Sequence, residues 1–265
     1  MRVAIFGARG YIGGYLNARL TQSGAHVIPY SSTNTNLFDI RTGILGDAIE
    51  IPSGTDCVIY LAQSPHHRKM PEMAAHLWGV NVVSALKVAE KARACGVKRF
   101  IYASTGNVYS PAFHPHAEDA PLRRNDWYAL SKIHAEESLA LYRQDMSVTI
   151  ARIFGVYGPN QTDRLVPNLV QSVRSAATIR LAPHPTNSLD RDGLKLSLCH
   201  INDVVEIFSN LIHESSPPDV INVAGQEALS IREIALAVGE VLGLAPRFEM
   251  VDQPRGFDLL ADVTK

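Results

Sequence analysis

The sequence predicts an α/β fold in which a doubly wound parallel sheet is followed by a smaller, mixed α/β lobe. Through residues 1–155, short apolar segments alternate with amphipathic stretches of helical period. Continuous apolar strands separated by helices are typical of a parallel sheet that is covered on both faces. The predicted strands are Val3–Phe6, His26–Tyr30, Cys57–Leu61, Phe100–Ala103 and Val148–Ile153. The predicted helices are Tyr11–Ser23, Met73–Cys95 and Trp127–Arg143.

The pattern loosens after Gly158-Pro159, where a second region is predicted. Ser230 and Glu233 form a capping-box pattern that opens a helix ending at Leu242. The other predicted elements are a helix at Leu165–Ala176, a loop at Pro183–Asp192, a strand at Leu194–Leu198 and a helix at Asn202–His213. We therefore expect a first domain over residues 1–158 and a substrate-binding lobe over residues 159–265, with some segments of the lobe returning to the sheet.

Composition narrows the class of protein. The chain has 265 residues and a formal net charge of −1, which provides no basic field for nucleic acid and no polybasic patch for a membrane surface. Its three cysteines, Cys57, Cys95 and Cys199, share no short spacing, which argues against a disulfide framework and a cysteine-based zinc site. No apolar run approaches a signal-peptide core or a membrane span. We expect a cytoplasmic protein.

A glycine-rich turn follows the first predicted strand and opens the first helix. Gly7, Gly10 and Gly13 are spaced G-x-x-G-x-x-G, with Arg9, Tyr11 and Ile12 between them. Glycines at these positions permit a tight turn and a close approach of the backbone to a pyrophosphate, which the helix N-terminus then attracts. The position between a strand and a helix predicts a dinucleotide site on a Rossmann-type domain.

The end of the second strand bears on which dinucleotide binds. An acidic residue there would bind the adenosine ribose hydroxyls and repel a 2′-phosphate. The chain instead has Ser31, Ser32 and Thr33 after Tyr30, and Arg9 is available to pair with a 2′-phosphate. The cofactor is therefore expected to be NAD(P), with NADP favoured and NAD left open.

A candidate proton-handling site lies on the third predicted helix. Tyr128 and Lys132 are four residues apart, so the phenol and the ammonium share one helix face. Ser104 and Thr105 end an upstream strand, at the edge where open α/β sheets bind ligands. A hydroxyl there can hold a substrate oxygen against Tyr128, which would exchange a proton with that oxygen.

In order along the chain, these motifs resemble the extended short-chain dehydrogenase/reductase superfamily, in particular its NAD-dependent epimerase/dehydratase family. The resemblance is strong up to Pro159 and looser through His200–Asp203 and the Ser230 helix. The matching segments are the glycine turn, residues 56–62, residues 97–105, Val108-Tyr109, Tyr128-x-x-x-Lys132 and residues 156–159.

The resemblance implies residue roles. Tyr128 is the expected acid/base, Lys132 its pKa partner and a ribose ligand, and Thr105 the hydroxyl that polarises the substrate. The cofactor-binding residues that it implies beyond the glycine turn are Asp39, Ile40, Leu61, Ala62, Gln63, Asn81 and Phe154. It also implies a homodimer, formed through the Met73–Cys95 and Trp127–Arg143 helices.

Departures from the family pattern narrow the reaction. Gly106-Asn107 follows Thr105 where 4,6-dehydratases carry Asp-Glu, so dehydration is not expected. Gly155 and Leu196 replace an Asn and an Arg that serve as diphosphate anchors, although Lys195 lies beside the second position. We expect an epimerase or ketoreductase acting by hydride transfer on a sugar, which the resemblance implies to be nucleotide-linked. Reduction of a non-nucleotide carbonyl compound and a non-catalytic dinucleotide sensor are the alternatives.

Other polar clusters are interpreted as surface features. His66-His67 and His114-Pro115-His116 lack a frame of carboxylates or thiolates, so no metal site is expected. The pair Glu136-Glu137 is interpreted as a solvated helix face.

Overall fold

The computed structural model describes residues 1–32 and 37–264, so Thr33 lies outside the described residues. The strands are β1 Arg2–Phe6, β2 His26–Tyr30, β3 Cys57–Tyr60, β4 Arg99–Thr105, β5 Ser147–Ile153, β6 Gly155–Tyr157, β7 Thr178–Leu181, β8 Lys195–His200, β9 Val220–Val223, β10 Ala228–Ser230 and β11 Arg247–Met250. The α-helices are α1 Tyr11–Gln22, α2 Ala74–Trp78, α3 Ser84–Ala94, α4 Trp127–Ala140, α5 Leu165–Arg174, α6 Ile201–His213 and α7 Ile231–Leu242.

The main sheet has six strands in the order β2-β1-β3-β4-β5-β9. The pairs from β2 to β5 are all parallel. Strands β1, β3, β4 and β5 are almost completely buried, as their continuous apolar sequences predict, whereas the edge strand β2 is half-buried or exposed along its length. The strand order reverses between β1 and β3, which creates a crevice at the carboxyl ends of these two strands. The predicted doubly wound, Rossmann-type α/β fold is confirmed.

Aromatic rings from neighbouring strands fill one layer of the core. Phe6 stacks on Tyr30 with ring centroids 4.3 Å apart, and Tyr60 lies 5.9 Å from Tyr102. The two buried phenols are satisfied by backbone carbonyls, because Tyr60 donates to Val80 at 2.5 Å and Tyr102 donates to Asn81 at 2.9 Å. Buried hydroxyls need such acceptors, so these tyrosines tie the sheet to the segment that follows α2.

That segment departs from the sequence prediction. The apolar period predicts a single helix over Met73–Cys95, whereas a π-helical turn at Gly79–Val83 separates α2 from α3. A π turn inserts one extra residue into a helix and rotates the following side chains, and such turns are frequent at functional sites. The apolar period alone does not reveal this insertion because both flanking helices keep their buried faces.

The second group of elements has its own small sheets and core. Strands β10, β8 and β6 form one sheet, and β11 pairs with β7 in another. The capping box predicted at Ser230 is present, since its hydroxyl accepts from Glu233 N–H while the Glu233 carboxylate accepts from Ser230 N–H. The sequence analysis does not predict four strands of this group, each of three or four residues: β6, β7, β10 and β11. It also does not predict β9, at the edge of the main sheet.

The chain forms two compact units that interleave along the sequence. One comprises residues 1–109, 121–153 and 202–221, and the other comprises residues 110–120, 154–201 and 222–265. The expected domain boundary after residue 158 stays a prediction. Among the described residues, every helix is too short or too polar to cross a bilayer.

Two adjacent glycines in α1 provide a test of the packing in the glycine turn. A Cβ at Gly13 would lie 2.2 Å from the Gly7 carbonyl oxygen, whereas a Cβ at Gly14 would meet nothing within 4 Å. We expect Gly13→Ala to lower the free energy of unfolding by about 1–3 kcal/mol through overpacking. The matched control, Gly14→Ala, should raise it by about 0.5–1 kcal/mol through helix propensity. Urea unfolding of both variants measures the difference, and equal stabilities would contradict the close packing.

Candidate active site

The glycine turn lies at the crevice between β1 and β3. Gly7 has a positive φ of 92°, and a Cβ there would lie 2.8 Å from the backbone nitrogen of Ala62. Both constraints exclude a side chain, so the turn can approach the end of β3 only with glycine. The N–H groups of Gly7 and Ala8 donate to the Tyr30 carbonyl at 2.9 and 3.1 Å, which joins the turn to the end of β2.

Helix α1 begins directly after this turn, with Gly10 as its N-cap residue and no acidic residue in its first turn. The N–H groups of a first helical turn point toward the helix N-terminus, where they and the helix dipole attract phosphate. Tyr11 and Ile12 open the helix and Arg9 is exposed immediately before it. The glycine turn leaves space that a Cβ would fill, and the helix N-terminus after it has no acidic side chain to repel an anion. Both features fit the pyrophosphate of a dinucleotide.

The residues predicted around the adenosine half lie on the surface after β2. Ser31 is half-buried and Ser32 is exposed. Asp39 binds its own turn, because its carboxylate accepts from Thr42 N–H at 2.7 Å and from Arg41 N–H at 3.0 Å. The bond from Thr42 N–H, followed by those from the Thr42 hydroxyl and Arg41 N–H, lowers the pKa of Asp39. Ile40 is 85% exposed, an arrangement that leaves this side chain accessible to a ligand.

The structure brings two of the predicted residues together at the end of β3. The Tyr128 hydroxyl donates to Oε1 of Gln63 at 2.9 Å. Gln63 follows Leu61, whose N–H donates to the Phe6 carbonyl at 2.8 Å, and the buried Ala62 that contacts the glycine turn. The phenol therefore lies at the carboxyl edge of the sheet, where the switch in strand order forms the crevice.

Lys132 lies one helical turn from Tyr128 and is only 2% exposed. Its ammonium donates to the Ala103 carbonyl at 2.8 Å and lies 4.8 Å from the centre of the Tyr102 ring. Burial lowers the pKa of Lys132 to about 7, and the nearby negative charge of Glu136 opposes that change. A pKa close to neutrality is unusual for a lysine and is typical of functional sites.

Thr105 ends β4 two residues after the carbonyl that binds Lys132. It is buried, and its Oγ1 accepts hydrogen bonds from the backbone N–H and the side-chain amide of Asn107 at 3.2 and 3.3 Å. These bonds start the short 3-10 turn at Gly106–Val108 and fix the threonine side chain. Asn107 therefore orients the neighbouring hydroxyl, at a position where the resemblance implies an acid in 4,6-dehydratases.

Asn81, predicted to line the cofactor, lies fully buried in the π-helical turn. Its amide nitrogen donates to the Ser131 hydroxyl at 3.0 Å, and its Oδ1 accepts from Ser64 N–H at 3.2 Å. The side chain therefore connects the loop after β3 to α4. This bridge places the loop that carries Gln63 beside the helix that carries Tyr128.

Phe154 and Gly155 belong to the second compact unit. Phe154 is buried and its N–H donates to the Val223 carbonyl at 3.0 Å. A Cβ at Gly155 would lie 2.6 Å from a methyl carbon of Leu198, so a side chain at this position would require the Leu198 side chain to move. Leu196 is buried, and Lys195 lies 2.8 Å from the Asp190 carboxylate.

Two residues near the site escape the sequence interpretation. The pair Glu136-Glu137 is not uniformly solvated, because Glu136 is buried against Arg152 while the exposed Glu137 binds Arg124. The position of Glu136 four residues after Lys132 is a usable signal, since it puts both on one helix face. The ring of His67 lies 5.4 Å from that of Tyr128, a contact between distant segments that no local pattern reveals.

Other histidines near the loop after β3 contact each other and a serine. His66 lies 4.9 Å from His76, and Nδ1 of His76 lies 2.9 Å from the Ser64 hydroxyl. Within residues 1–32 and 37–264, no group of three or more His, Cys, Asp or Glu side chains is arranged to hold a metal ion.

Comparison with known proteins is consistent with this geometry. The family model described as "NAD dependent epimerase/dehydratase family" matches residues 3–224. The chain belongs to this family. Its enzymes are NAD-dependent epimerases and dehydratases of the extended short-chain dehydrogenase/reductase type, so the chain is an NAD(P)-dependent enzyme and the resemblance inferred from the motifs is confirmed.

Relatives of known activity cover most of the chain. The chain is 26% identical to a UDP-glucose 4-epimerase of Mycolicibacterium smegmatis, over 98% of this chain and 88% of the relative. It is also 26% identical to GDP-mannose 3,5-epimerase 1 of Oryza sativa subsp. japonica, over 89% of this chain and 67% of the relative.

Solved structures show the same fold. The Thermus thermophilus UDP-glucose 4-epimerase in complex with NAD superposes with a TM-score of 0.76 at 22% identity, covering 100% of this chain and 90% of that one. The UDP-N-acetylglucosamine 4-epimerase of Bacillus cereus gives a TM-score of 0.79 at 16% identity, covering 100% and 90%.

The buried ammonium of Lys132 predicts a pH-dependent stability. Its pKa is about 7 when folded and about 10.4 in an unfolded chain, so between these values the unfolded state binds more protons and stability rises with pH. From pH 7 to pH 9 this group should add about 2 kcal/mol to the free energy of unfolding.

Urea unfolding of the wild type and Lys132→Met at both pH values measures this contribution, because the variant lacks it. Lys87→Met is the matched control, since the Lys87 ammonium binds the exposed carboxylate of Asp47. A wild type and a Lys132→Met variant with the same pH dependence would contradict the buried ammonium.

Proposed function

We propose that this enzyme catalyses reversible hydride transfer at a sugar carbon, with Tyr128 as its acid/base. The observation that carries the proposal is the position of the Tyr128 hydroxyl. It binds Gln63 at the carboxyl end of β3, one helical turn from the buried ammonium of Lys132. A proton-handling group at this edge of the sheet faces the place where α/β enzymes bind their ligands.

The proton path follows from this arrangement. In oxidation, a Tyr128 phenolate accepts the proton of a substrate hydroxyl while the hydrogen on the same carbon leaves as hydride. In reduction, the phenol returns that proton to the forming alkoxide. A phenol with a pKa of about 10 is almost entirely protonated at neutral pH, and stabilising its anion at pH 7 requires about 4 kcal/mol.

Lys132 supplies a positive charge that stabilises the phenolate, and Thr105 supplies a hydroxyl that positions the substrate. The ammonium of Lys132 shares a helix face with Tyr128 and favours the phenolate by its charge. The hydroxyl of Thr105, fixed by Asn107, orients the substrate oxygen toward the phenol. Reversible hydride transfer is the chemistry that NAD(P) supplies when it is bound.

The proposed cofactor site extends from the glycine turn along the crevice. Gly7, Gly10 and Gly13 accommodate the pyrophosphate, and residues 61–63 with Lys132 lie toward the nicotinamide half. The adenosine half lies toward Asp39, Ile40 and the two serines after β2, while Asn81 supports the wall beside α4. The exposed Arg9 and the absence of an acidic residue from positions 31 and 32 favour NADP, whereas the Thermus thermophilus relative is a complex with NAD.

We propose a nucleotide-linked sugar as substrate because the relatives named above are epimerases of UDP- and GDP-sugars. Epimerisation requires that the oxidised sugar stays bound, rotates and receives the hydride on its other face. Ketone reduction instead requires external NADPH. Retention of the cofactor through purification distinguishes the two reactions.

A second candidate is the reduction of a carbonyl compound without a nucleotide. The packing of Gly155 against Leu198 and the ion pair of Lys195 with Asp190 favour it. The resemblance implies diphosphate anchors at positions 155 and 196. Gly155 has no side chain to bind a diphosphate, and Lys195, beside the second position, is already bound to Asp190. Incubation with UDP-sugars and with simple ketones, followed by NMR of the products, separates the two substrate classes.

The homodimer implied by the resemblance is also part of the proposal. Exposed apolar side chains lie at the start and end of α4, at Trp127 and Leu141, and at Val83 near the start of α3. Sedimentation equilibrium at micromolar concentration is expected to give twice the mass of the chain. A monomer at that concentration would contradict the dimer without affecting the proposed chemistry.

Replacement of the acid/base is the direct test of the mechanism. Tyr128→Phe is expected to lower kcat by about 10²–10⁴ because the proton no longer has a positioned acceptor, while cofactor binding is retained. Tyr142→Phe, which removes a phenol oxygen beyond α4, is the matched control and should leave kcat unchanged. Stopped-flow absorbance at 340 nm measures the rate of hydride transfer. A Tyr128→Phe variant that transfers hydride at the wild-type rate would exclude Tyr128 as the acid/base.

Cofactor preference is tested by isothermal titration of NADP⁺ and NAD⁺. Loss of a charge-assisted bond to a 2′-phosphate in Arg9→Ala is expected to weaken NADP⁺ binding by about tenfold or more and to leave NAD⁺ binding unchanged. Arg19→Ala, which removes a guanidinium from the other end of α1, is the control. Equal losses for both cofactors would exclude Arg9 as the discriminating residue.

A further inference from the structure

A buried ion pair lies beneath the candidate active site. Glu136 and Arg152 are each 5% exposed, and the Arg152 guanidinium donates to both carboxylate oxygens of Glu136, the shortest bond measuring 2.7 Å. Buried pairs carry a desolvation cost that can exceed their mutual attraction, so their value often lies in position rather than in stability.

The pair joins α4 to the end of β4. The Ser104 hydroxyl donates to the carboxylate of Glu136, while the preceding residue, Ala103, accepts from the Lys132 ammonium at 2.8 Å. Thr105 follows Ser104 directly. Two consecutive residues of β4 are therefore bonded to two charged groups of α4, one helical turn apart, immediately before the strand delivers Thr105.

Arg152 extends the connection to the segment beyond Thr105. It lies opposite Ser104 in the parallel pairing of β4 with β5, and its Nη1 donates to the Tyr109 hydroxyl at 3.0 Å. Tyr109 closes the 3-10 turn at Gly106–Val108 that begins at Thr105. The segment that carries Thr105 is thus held on both sides by the same ion pair.

We propose that Glu136, fixed by Arg152, is a positioning residue for the hydride-transfer site: it aligns Thr105 with the Tyr128 helix and keeps Lys132 an ammonium. The proposal deepens the proposed function and rests on it for the roles of Thr105 and Tyr128. Glu136 touches no substrate and acts through the groups that it holds.

The charged and titratable groups around Lys132 support the proposal that Glu136 keeps Lys132 protonated. On its own helix, Tyr128 lies one turn before Lys132 and Glu136 one turn after it, and from β4 the ring of Tyr102 faces the ammonium. Arg152 of β5 lies behind the carboxylate. Burial lowers the pKa of Lys132 and Glu136 raises it, so the carboxylate opposes loss of the proton that Lys132 needs to favour a Tyr128 phenolate.

The test follows the titration of Lys132 itself, by NMR of protein labelled with ¹³C and ¹⁵N at lysine side chains. Comparison with Lys132→Met assigns the signal. Glu136→Gln is expected to lower the pKa of Lys132 by about 1, a tenfold change in its protonation equilibrium. Glu137→Gln, a neighbouring exposed glutamate whose carboxylate binds Arg124, is the matched control and should leave the titration as in the wild type.

Kinetics provide the second readout. In Glu136→Gln we expect the alkaline limb of the kcat profile to move to lower pH by a similar amount, with KM within about twofold of the wild type. Glu136→Asp should restore the limb because it restores the charge. A purely structural role would lower the rate equally at all pH values and leave the limb in place.

The outcomes separate the two proposals. An unchanged Lys132 titration in folded Glu136→Gln would overturn this inference. A shifted titration in an enzyme that transfers no hydride to any substrate tested would support the role of Glu136 toward Lys132 and overturn the proposed function. If Glu136→Gln does not fold, the Glu136→Gln/Arg152→Gln double variant removes the uncompensated guanidinium. A smaller downward shift is expected there, because loss of the more distant Arg152 charge partly offsets loss of the carboxylate, and an unshifted pKa overturns the inference.

Discussion

Helix α4 presents a phenol, an ammonium and a carboxylate on one face, at Tyr128, Lys132 and Glu136, and the last two are buried against the end of β4. Charges in an interior of low dielectric are costly unless each finds a partner. The carbonyl of Ala103 and the hydroxyl of Ser104 provide those partners. Because the acceptor and donor are consecutive residues of one strand, α4 can pack on β4 in a single register. The distance between the phenol and the end of the strand is fixed by the same bonds.

The opposite side of the crevice depends on steric limits rather than on charge. Gly7 brings the turn after β1 against Ala62, and Gly13 brings α1 against Gly7, at separations that no Cβ would permit. This close contact fixes the turn against the end of β3. Asn81 separately holds the Ser64 loop to α4. Gln63, which lies between these two connections, is consequently positioned within hydrogen-bond distance of Tyr128.

Much of the fold could be predicted from sequence because its signals are local. Strands buried on both faces are continuously apolar, and Ser230 with Glu233 marks a helix start without any tertiary information. The spacing of Tyr128 and Lys132 likewise follows from helix geometry. By contrast, backbone carbonyls of the π-helical turn accept hydrogen bonds from the hydroxyls of Tyr60 and Tyr102, which lie on two different strands. The spacing of Glu136 from Lys132 puts both on one helix face, but the burial of Glu136 also depends on Arg152 in another strand, which no local pattern identifies. The contact of His67 with Tyr128 depends on loop placement and has no local signature.

In each compact unit, a buried arginine forms ion pairs that hold neighbouring segments in place. In the second unit, Arg255 binds Asp258 and Asp190 with all three side chains less than a tenth exposed, and Lys195 also binds Asp190. The two cations and two carboxylates cancel in formal charge, so this cluster attracts an anion less than a lone arginine would. Its bonds join strand β8 to the segment around Asp258 instead. In the first unit, Glu136 and Arg152 also cancel, but Lys132 is on the same helix face as the carboxylate, and the cluster carries one positive charge whenever Lys132 is protonated. That charge lies one helical turn from the phenol, where a forming phenolate gains most from it.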